Sequence, residues 1–185
     1  MKVIAIDGPA GSGKSTLARA LATALGWSFL DTGAMYRAIT SEVLNLGIDP
    51  LSEEEVGRIA RESEIRTIPY VSINGRDVND DIRSEFVNRW VSTVASFRMV
   101  REQMVERQRR FAQAQPGGTV VEGRDITTVV FPDATLKVFL TADAGERARR
   151  RGDESAESIE RRDLLDSTRA NSPLRRAEDA MEIDT

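Results

Sequence analysis

Apolar and polar positions alternate along the chain in blocks that predict short strands separated by helices. Apolar runs with the length of buried strands occupy Val3–Asp7, Trp27–Asp31, Thr119–Glu122, Thr135–Thr141 and Met181–Asp184. Segments with helical periodicity fill most of the intervals between them. Because strands that alternate with helices favour a parallel sheet, we predict an α/β core with five strands and helices on both faces.

Capping residues give approximate ends for the predicted helices. We predict helices at Lys14–Leu25, at Ala34–Leu46 after a cap at Thr32, in a segment opened by Pro50 and Ser52, over most of Asp80–Ala114, from Ala142 through Arg151, and from Ser155 to Ala170. Gly26 and Gly47 end the first two, and Pro116-Gly117-Gly118 ends the long stretch. A break near Gly152-Asp153 separates the last two.

A hairpin signal interrupts this alternation. Ile65–Ile73 is predicted to be extended, and the Asn74-Gly75 pair that follows is a strong signal for a tight turn. Such a turn joins antiparallel strands, which do not fit the rhythm of a parallel sheet. We therefore predict a small antiparallel unit inserted into the core.

Composition narrows the chemistry available to the chain. Hydrophobic residues make up 40% and charged residues 30% of the 185 residues, which is typical of one soluble globular domain. Cysteine and histidine are absent, so acid–base work is left to carboxylates, tyrosine, lysine or the substrate. No apolar run reaches the length of a membrane span, and no signal segment precedes the first strand. A net charge of −4 argues against nucleic-acid binding.

The segment between the first strand and the first helix fills a phosphate-binding pattern. The pattern G-x-x-x-x-G-K-[ST] is matched by Gly8, Pro9, Ala10, Gly11, Ser12, Gly13, Lys14 and Ser15, and Thr16 follows directly. Glycines let backbone N–H groups close around phosphate oxygens, and the helix N-terminus adds donors and the positive end of a dipole. We predict that Lys14 reaches the β- and γ-phosphates of a nucleotide and that the Ser15 hydroxyl ligates Mg²⁺.

Lys14 within the loop and Asp31 outside it give further information about this site. The chain has only three lysines, so a lysine at position 14 goes against its strong preference for arginine, whose planar fork does not replace a compact ammonium group. Asp31 ends the second strand, where it either orients Mg²⁺-bound water or caps the helix that follows. Both interpretations of Asp31 stay open from the sequence.

A phosphate loop alone does not name a function, because ATPases, GTPases, motors and kinases all use one. The chain lacks the N-K-x-D tetrapeptide typical of GTPases, and its small size and late arginine-rich segment favour a small-substrate kinase. Three rivals remain: a kinase for UMP, AMP, shikimate or a coenzyme precursor, a non-catalytic nucleotide sensor, and a nucleic-acid-binding protein.

Further segments resemble the bacterial cytidylate kinase family. They are Asp31–Arg37, Ser72–Val78, Val100–Glu102 with Arg107–Arg109, Glu122–Ala134 and Arg161–Arg169, in the family's order and over nearly the whole chain. The resemblance implies transfer of the γ-phosphoryl group of ATP to CMP or dCMP, with Mg²⁺, in pyrimidine nucleotide metabolism. It also implies a cytoplasmic monomer that binds neither nucleic acid nor membrane.

The family pattern also divides the chain into regions. It implies a single kinase domain over residues 1–185, an inserted monophosphate-binding subdomain at about 63–97, and an arginine-rich lid at about 150–171. The lid is short, since only Gly152–Ser158 separate the arginine run from the next helical segment. In the family a glycine turn and a terminal helix follow the last strand, and a real loss of that helix would predict poor thermal stability.

Residue roles follow from the same resemblance. The phosphate loop binds ATP, and the catalytic set is Lys14, Arg124, Arg162 and Arg169. The CMP-binding set is Thr32, Tyr36, Arg37, Ser92, Arg101, Arg124, Asp125, Asp166 and Arg169. Within it, Arg37 and Arg124 hold the CMP phosphate and Asp166 contacts the sugar hydroxyls. Ser92, Arg101 and Asp125 read the base, where a carboxylate accepts from the cytosine amino group and an arginine donates to the ring acceptors.

Each of these roles has a structural alternative at the level of sequence. Tyr36 also suits a core position, Arg101 also suits a helix surface, and Asp125 also suits a helix cap. Arg162, Asp166 and Arg169 share one helix face, which equally suits a surface ladder of ion pairs. The arginines from 147 to 151 are not assigned individually.

Overall fold

The structure contains a five-stranded parallel sheet whose strands, in spatial order, are Ser28–Asp31, Thr119–Gly123, Val3–Asp7, Leu136–Thr141 and Met181–Asp184. The computed structural model describes residues 1–150 and 156–185. The strands of this sheet are β1 (Val3–Asp7), β2 (Ser28–Asp31), β6 (Thr119–Gly123), β7 (Leu136–Thr141) and β8 (Met181–Asp184). The central strand β1 is buried throughout and pairs in parallel with β6 and β7. The predicted parallel sheet of five strands is confirmed.

The described residues form seven α-helices. They are α1 (Lys14–Leu25), α2 (Thr32–Asn45), α3 (Glu53–Glu62), α4 (Glu85–Val94), α5 (Arg98–Gln113), α6 (Ala144–Arg150) and α7 (Ala156–Ser167). None of them is both long and apolar enough to cross a membrane. The chain divides into two compact units, one made of residues 1–30 and 108–185 and the other of residues 31–107.

The core of the first unit fixes the start of α1 against the sheet. Ile4 and Ile6 of β1 pack in one cluster with Val120, Val138 and Leu140 of the neighbouring strands and with Ala18 and Ala22 of α1. Small alanines on this face of α1 let the helix approach the sheet closely. The loop between β1 and α1 therefore starts from a rigid strand and ends on a packed helix.

A three-stranded antiparallel sheet belongs to the second unit. Its strands are β3 (Ile65–Arg66), β4 (Ser72–Ile73) and β5 (Arg76–Asp77). Asn74 and Gly75 join β4 to β5 with φ angles of 52° and 80°, the left-handed backbone that a two-residue hairpin turn requires. Glu42 of α2 accepts hydrogen bonds from Asn74 and Arg76 at 3.2 and 2.8 Å, which holds the hairpin to that helix. The predicted antiparallel unit is confirmed.

Two predicted elements are divided in the structure. The extended segment Ile65–Ile73 forms two strands rather than one, because Pro69 lies between them and has no N–H to donate to a ladder. The long helical stretch Asp80–Ala114 consists of a 3-10 turn at Asp81–Arg83, then α4 and α5. The Ser96 hydroxyl donates to the Thr93 carbonyl oxygen at 2.7 Å where α4 ends, a local bond that competes with helix continuation.

Helix ends differ from prediction by a few residues. Helix α2 begins at Thr32 and its cap is Asp31, whose Oδ1 accepts from the Ala34 N–H at 2.9 Å, so the predicted cap at Thr32 is wrong. A carboxylate suits this position because it also faces the positive end of the helix dipole. Helix α7 ends at Ser167 rather than near Ala170. The predicted break at Gly152-Asp153 and the predicted helix start at Ser155 lie outside the described residues.

Candidate active site

The phosphate loop leaves the central strand β1 and runs into α1. Gly8 has a φ of 154°, and a Cβ atom there would lie 2.4 Å from the Leu140 carbonyl oxygen, so only glycine fits. Gly13 precedes α1 with a φ of 83°, and no side chain caps this helix end. The first N–H groups of α1 and its positive dipole end therefore point into a loop shaped for phosphate oxygens.

Lys14 lies inside this loop rather than on the surface. Its side chain donates through Nζ to the Pro9 carbonyl oxygen at 2.7 Å and to Ser12 Oγ at 3.5 Å, and the residue is only 8% exposed. An ammonium group held in this way by the loop itself is in place before any phosphate arrives. Lys14 is therefore not an ordinary surface lysine.

Ser15 pairs with a carboxylate that the sequence analysis did not select. Its hydroxyl donates to Glu122 Oε1 at 2.5 Å, and Glu122 is a buried residue near the end of β6. The two residues are brought together because β6 lies next to β1 in the sheet. The signal available in the sequence was a carboxylate that directly follows the apolar residues of a predicted strand.

The oxygen atoms of Ser15 and Glu122 are suitable ligands for a hard divalent cation. Hydroxyl and carboxylate oxygens are the ligands that Mg²⁺ uses in proteins, usually only one or two of them together with phosphate oxygens and waters. No group of three His, Cys, Asp or Glu side chains that could hold a metal ion occurs among the described residues. Asp31 uses Oδ1 to cap α2, which favours the capping interpretation left open by the sequence.

An arginine–carboxylate cluster lies beside the phosphate loop. Arg124, just after β6, donates to the Gly8 carbonyl oxygen at 3.1 Å and pairs through Nε with Asp166 Oδ2 at 3.1 Å. Asp166 also pairs with Arg169. Asp166 and Arg162 are buried, so the alternative of a surface ion-pair ladder is wrong. The spacing predicted Arg169 on the same helix face as Arg162 and Asp166, but Arg169 lies beyond the end of α7.

Arg147, one of the four unassigned arginines, contacts the phosphate loop. Arg147 of α6 donates to the Ala10 carbonyl oxygen at 3.1 Å and pairs with Asp163 of α7. Arg149 instead pairs with Glu146 on the exposed side of α6. Arg151 lies outside the described residues.

The second unit contains several residues of the predicted CMP-binding set. The guanidinium of Arg101 lies 5.7 Å from the ring centre of Tyr36, and both residues are buried, as are Thr32 and Ser92. Arg101 also donates to the Ala95 carbonyl oxygen at 3.2 Å. Arg101 therefore does not lie on the exposed surface of its helix, and its guanidinium is fixed beside an aromatic ring.

Arg37, also in the second unit, is held by two acceptors. Its Nη1 donates to the Ile82 carbonyl oxygen at 2.7 Å and to Asn88 Oδ1 at 2.6 Å. These bonds orient the guanidinium, so Arg37 is not a freely solvated arginine. The structure thus places Arg37, Tyr36, Ser92 and Arg101 in one unit, while Arg124 and the remaining predicted residues of the acceptor site, other than Thr32, belong to the first.

Asp125 follows Arg124 in a turn that Asp7 holds in place. Asp125 is buried, and its side chain makes no capping hydrogen bond to the π-helical turn that follows, so the capping alternative is wrong. Asp7, the last residue of β1, accepts from the N–H groups of Ile126 and Thr127 at 2.9 and 2.7 Å and from the Thr127 hydroxyl at 2.7 Å. One carboxylate therefore ties the start of the phosphate loop to the turn that carries Arg124 and Asp125.

Burial raises the pKa of Asp7 to about 6, because its loss of hydration outweighs the three hydrogen bonds that favour its ionised form. The folded protein then binds the proton more tightly than the unfolded chain, whose aspartates titrate near pH 3.9. This contribution to stability is complete below about pH 4 and is lost as the pH rises through about 6. It amounts to about 3 kcal/mol.

We expect this linkage to appear in a comparison with Asp7→Asn, which does not titrate. Urea unfolding from pH 4 to pH 7 measures the free energy of unfolding of both proteins. The excess stability of the unsubstituted protein over the variant is expected to shrink by about 2 kcal/mol over this range, because the aspartate of the unfolded chain is already about half ionised at pH 4. An excess that grows with pH would mean that the hydrogen bonds, and not burial, dominate the pKa of Asp7.

Together these features define a class of protein. A parallel sheet, a glycine-rich phosphate loop after its central strand, and arginines that contact that loop are the parts of a P-loop phosphotransferase. The family model for cytidylate kinase matches residues 4–185. The chain belongs to the cytidylate kinase family, which places it among the nucleoside monophosphate kinases.

Similar proteins agree with this assignment. Cytidylate kinases from Mycolicibacterium paratuberculosis and Geobacillus kaustophilus are each 48% identical, over 99% and 98% of this chain and 87% and 88% of their own length. The cytidylate kinase of Bacillus subtilis is 45% identical over 98% of this chain and 88% of its own length. The crystal structure of TT1252 from Thermus thermophilus shares the fold, with a TM-score of 0.53 at 19% identity over 100% of this chain and 88% of that one.

Proposed function

We propose that this protein transfers the γ-phosphoryl group of ATP directly and in line to CMP and dCMP, giving CDP and dCDP in pyrimidine nucleotide metabolism. The observation that carries the proposal is the convergence of Lys14, the Ser15–Glu122 pair and Arg124 on one phosphate loop. Phosphoryl transfer asks mainly for positioning and charge stabilisation, and this set supplies both.

The acceptor needs no general base in this mechanism. A phosphate monoester has a second pKa of about 6, so the CMP phosphate is largely dianionic at pH 7 and is already a nucleophile. The absence of histidine from the chain is therefore no obstacle. Lys14, Arg124, Arg162 and Arg169 are proposed to stabilise the charge on the transferring group.

Mg²⁺ is proposed as the metal, held by Ser15 and Glu122 with phosphate oxygens and waters. When bound, it neutralises charge on the β- and γ-phosphates. The role of Ser15 is to present its oxygen at the start of α1, and that of Glu122 is to accept the hydrogen bond of the Ser15 hydroxyl and orient that oxygen.

Acceptor recognition is proposed to use the residues that the family resemblance implies. Arg37 and Arg124 take the CMP phosphate, Asp166 the sugar hydroxyls, and Thr32 and Tyr36 the adjoining part of the nucleotide. Ser92, Arg101 and Asp125 read the base. We further propose that residues 63–97 form the monophosphate-binding subdomain, that residues 150–171 form a lid, and that the enzyme is a cytoplasmic monomer.

Tracing the transferred group tests the reaction directly. ATP labelled in the γ-phosphate is incubated with the protein, Mg²⁺ and CMP, and the nucleotides are separated. We expect the label in the β-phosphate of CDP, with little free phosphate. Label found only in free phosphate would indicate an ATPase and would contradict the proposal.

The Ser15–Glu122 pair gives a separate prediction about Mg²⁺. Glu122→Gln keeps the size of the side chain and an acceptor for Ser15 but removes the negative charge. We expect the Mg²⁺ concentration that gives half-maximal activity to rise about 10-fold or more, as when other groups that orient metal ligands are removed. Glu178→Gln makes the same charge change at an exposed site and is the control. An unchanged Mg²⁺ requirement in Glu122→Gln would remove Glu122 from the metal site.

A further inference from the structure

Asp163 of α7 makes contacts that neither the phosphate-loop pattern nor the base-reading set predicts. Its Oδ1 accepts from the Ala10 N–H at 2.9 Å and from Arg124 Nη1 at 3.1 Å. Its Oδ2 accepts from Arg147 Nη1. The Asp163 side chain is 16% exposed, so these bonds are only weakly screened by water.

The two arginines that Asp163 holds also touch the phosphate loop themselves. Arg124 donates to the Gly8 carbonyl oxygen and Arg147 to the Ala10 carbonyl oxygen, each at 3.1 Å. The arginines come from different places in the chain, one from the turn after β6 and one from α6. Each guanidinium is thus fixed between a backbone carbonyl of the loop and the same carboxylate.

This arrangement matters because an arginine side chain has many rotamers. Fixing it only when the substrate arrives costs conformational entropy, whereas an arginine that is already held loses little more on binding. Charged groups that are preorganised around a transferring phosphoryl group also need no rearrangement during the reaction. Without a carboxylate between them, two guanidinium groups beside one loop would repel each other.

We propose that Asp163 is a positioning residue that orients Arg124 and Arg147 against the phosphate loop for phosphoryl transfer. The proposal rests on the proposed kinase reaction and adds Arg147 to the residues that face the phosphates. Asp163 does not touch the substrate in this account. It acts through the two arginines and through the Ala10 N–H.

Asp163→Asn tests the proposal, because asparagine keeps the size of the side chain and one acceptor oxygen but not the charge. We expect kcat to fall about 10- to 100-fold, the scale of a small misplacement of catalytic groups. The KM for ATP is expected not to rise, since both arginine charges remain. Values of kcat are normalised to the concentration of nucleotide-binding sites, so that loss of folded protein does not count as loss of catalysis.

A double-mutant cycle separates positioning from a merely structural role. If Asp163 acts through Arg147, the fold-decrease in kcat caused by Asp163→Asn is expected to be at least about threefold smaller in a protein that already carries Arg147→Gln. An equal fold-loss in both backgrounds would overturn the proposal, as would a normal kcat in Asp163→Asn. Asp179→Asn is the control, since it removes the same charge from an exposed carboxylate paired with Lys137 and is expected to leave kcat unchanged.

Two further outcomes keep the test decisive. If Asp163→Asn does not fold, Asp163→Glu retains the charge but moves it by one methylene, and we expect about a 10-fold lower kcat; wild-type kcat in that variant would overturn the proposal. Failure of the underlying reaction is distinguishable, because the unsubstituted protein would then transfer no phosphoryl group to any nucleoside monophosphate.

Discussion

Replacing Lys14 with alanine is expected to lower kcat by at least about 10²- to 10³-fold, the cost of removing one preorganised donor from a developing charge. The ammonium group is buried in the phosphate loop and held by the Pro9 carbonyl oxygen at 2.7 Å. Its charge is therefore used at short range and with little screening. Steady-state kinetics with ATP and CMP measures the loss.

Two matched variants show whether the loss belongs to this position. Lys2→Ala removes the same charge from an exposed site beside the first strand and is expected to leave kcat unchanged. Lys14→Arg keeps the charge but not the compact ammonium, so we expect it to remain strongly impaired. Circular dichroism of Lys14→Ala is expected to match that of the unsubstituted protein. Near-normal turnover in a folded Lys14→Ala would refute the mechanism.

Asp125→Asn is expected to narrow the preference for CMP over UMP by about 100-fold or more. A site built to hydrogen-bond one pattern of donors and acceptors rejects the other strongly, because buried polar groups are then left unpaired. The Asp125 carboxylate accepts only, which suits the cytosine amino group and opposes the uracil oxygen at the same ring position. Asparagine offers both a donor and an acceptor and therefore tolerates either base.

The ratio of kcat/KM values for CMP and UMP is the measurement for this variant. We expect the value for CMP to fall and the value for UMP to stay level or rise. Asp133→Asn is the control, because Asp133 is exposed in the turn before β7. A proportional loss with both substrates would mean that Asp125 holds the loop and does not read the base.

The phosphate site was predictable because it depends on residues that are adjacent in the sequence. The glycine positions, Lys14 and Ser15 form one continuous segment between a strand and a helix, and the structure places them as the pattern predicts. Glu122 and Asp163 were missed for the opposite reason. Their partners Ser15 and Ala10 lie 107 and 153 positions away, so only the order of strands and the packing of α7 bring them together.

Local errors have equally specific causes. Asp31 and Thr32 are both capping residue types, and sequence alone does not decide between neighbours of that kind. The break between α4 and α5 has no glycine or proline to mark it and depends on hydrogen bonds near Ser96. The spacing of Arg162, Asp166 and Arg169 predicted one helical face, whereas α7 ends at Ser167 and Arg169 reaches Asp166 from beyond the helix.

An ADP-release assay with ATP, Mg²⁺ and one monophosphate at a time (CMP, dCMP, UMP, AMP and GMP) tests the reaction and the choice of base together. We expect rapid ADP release with CMP and dCMP and much slower release with the other three. Comparable or faster release with UMP, AMP or GMP would contradict the base-reading roles of Ser92, Arg101 and Asp125. Binding of ATP without ADP release for any of the five would contradict the proposed reaction itself.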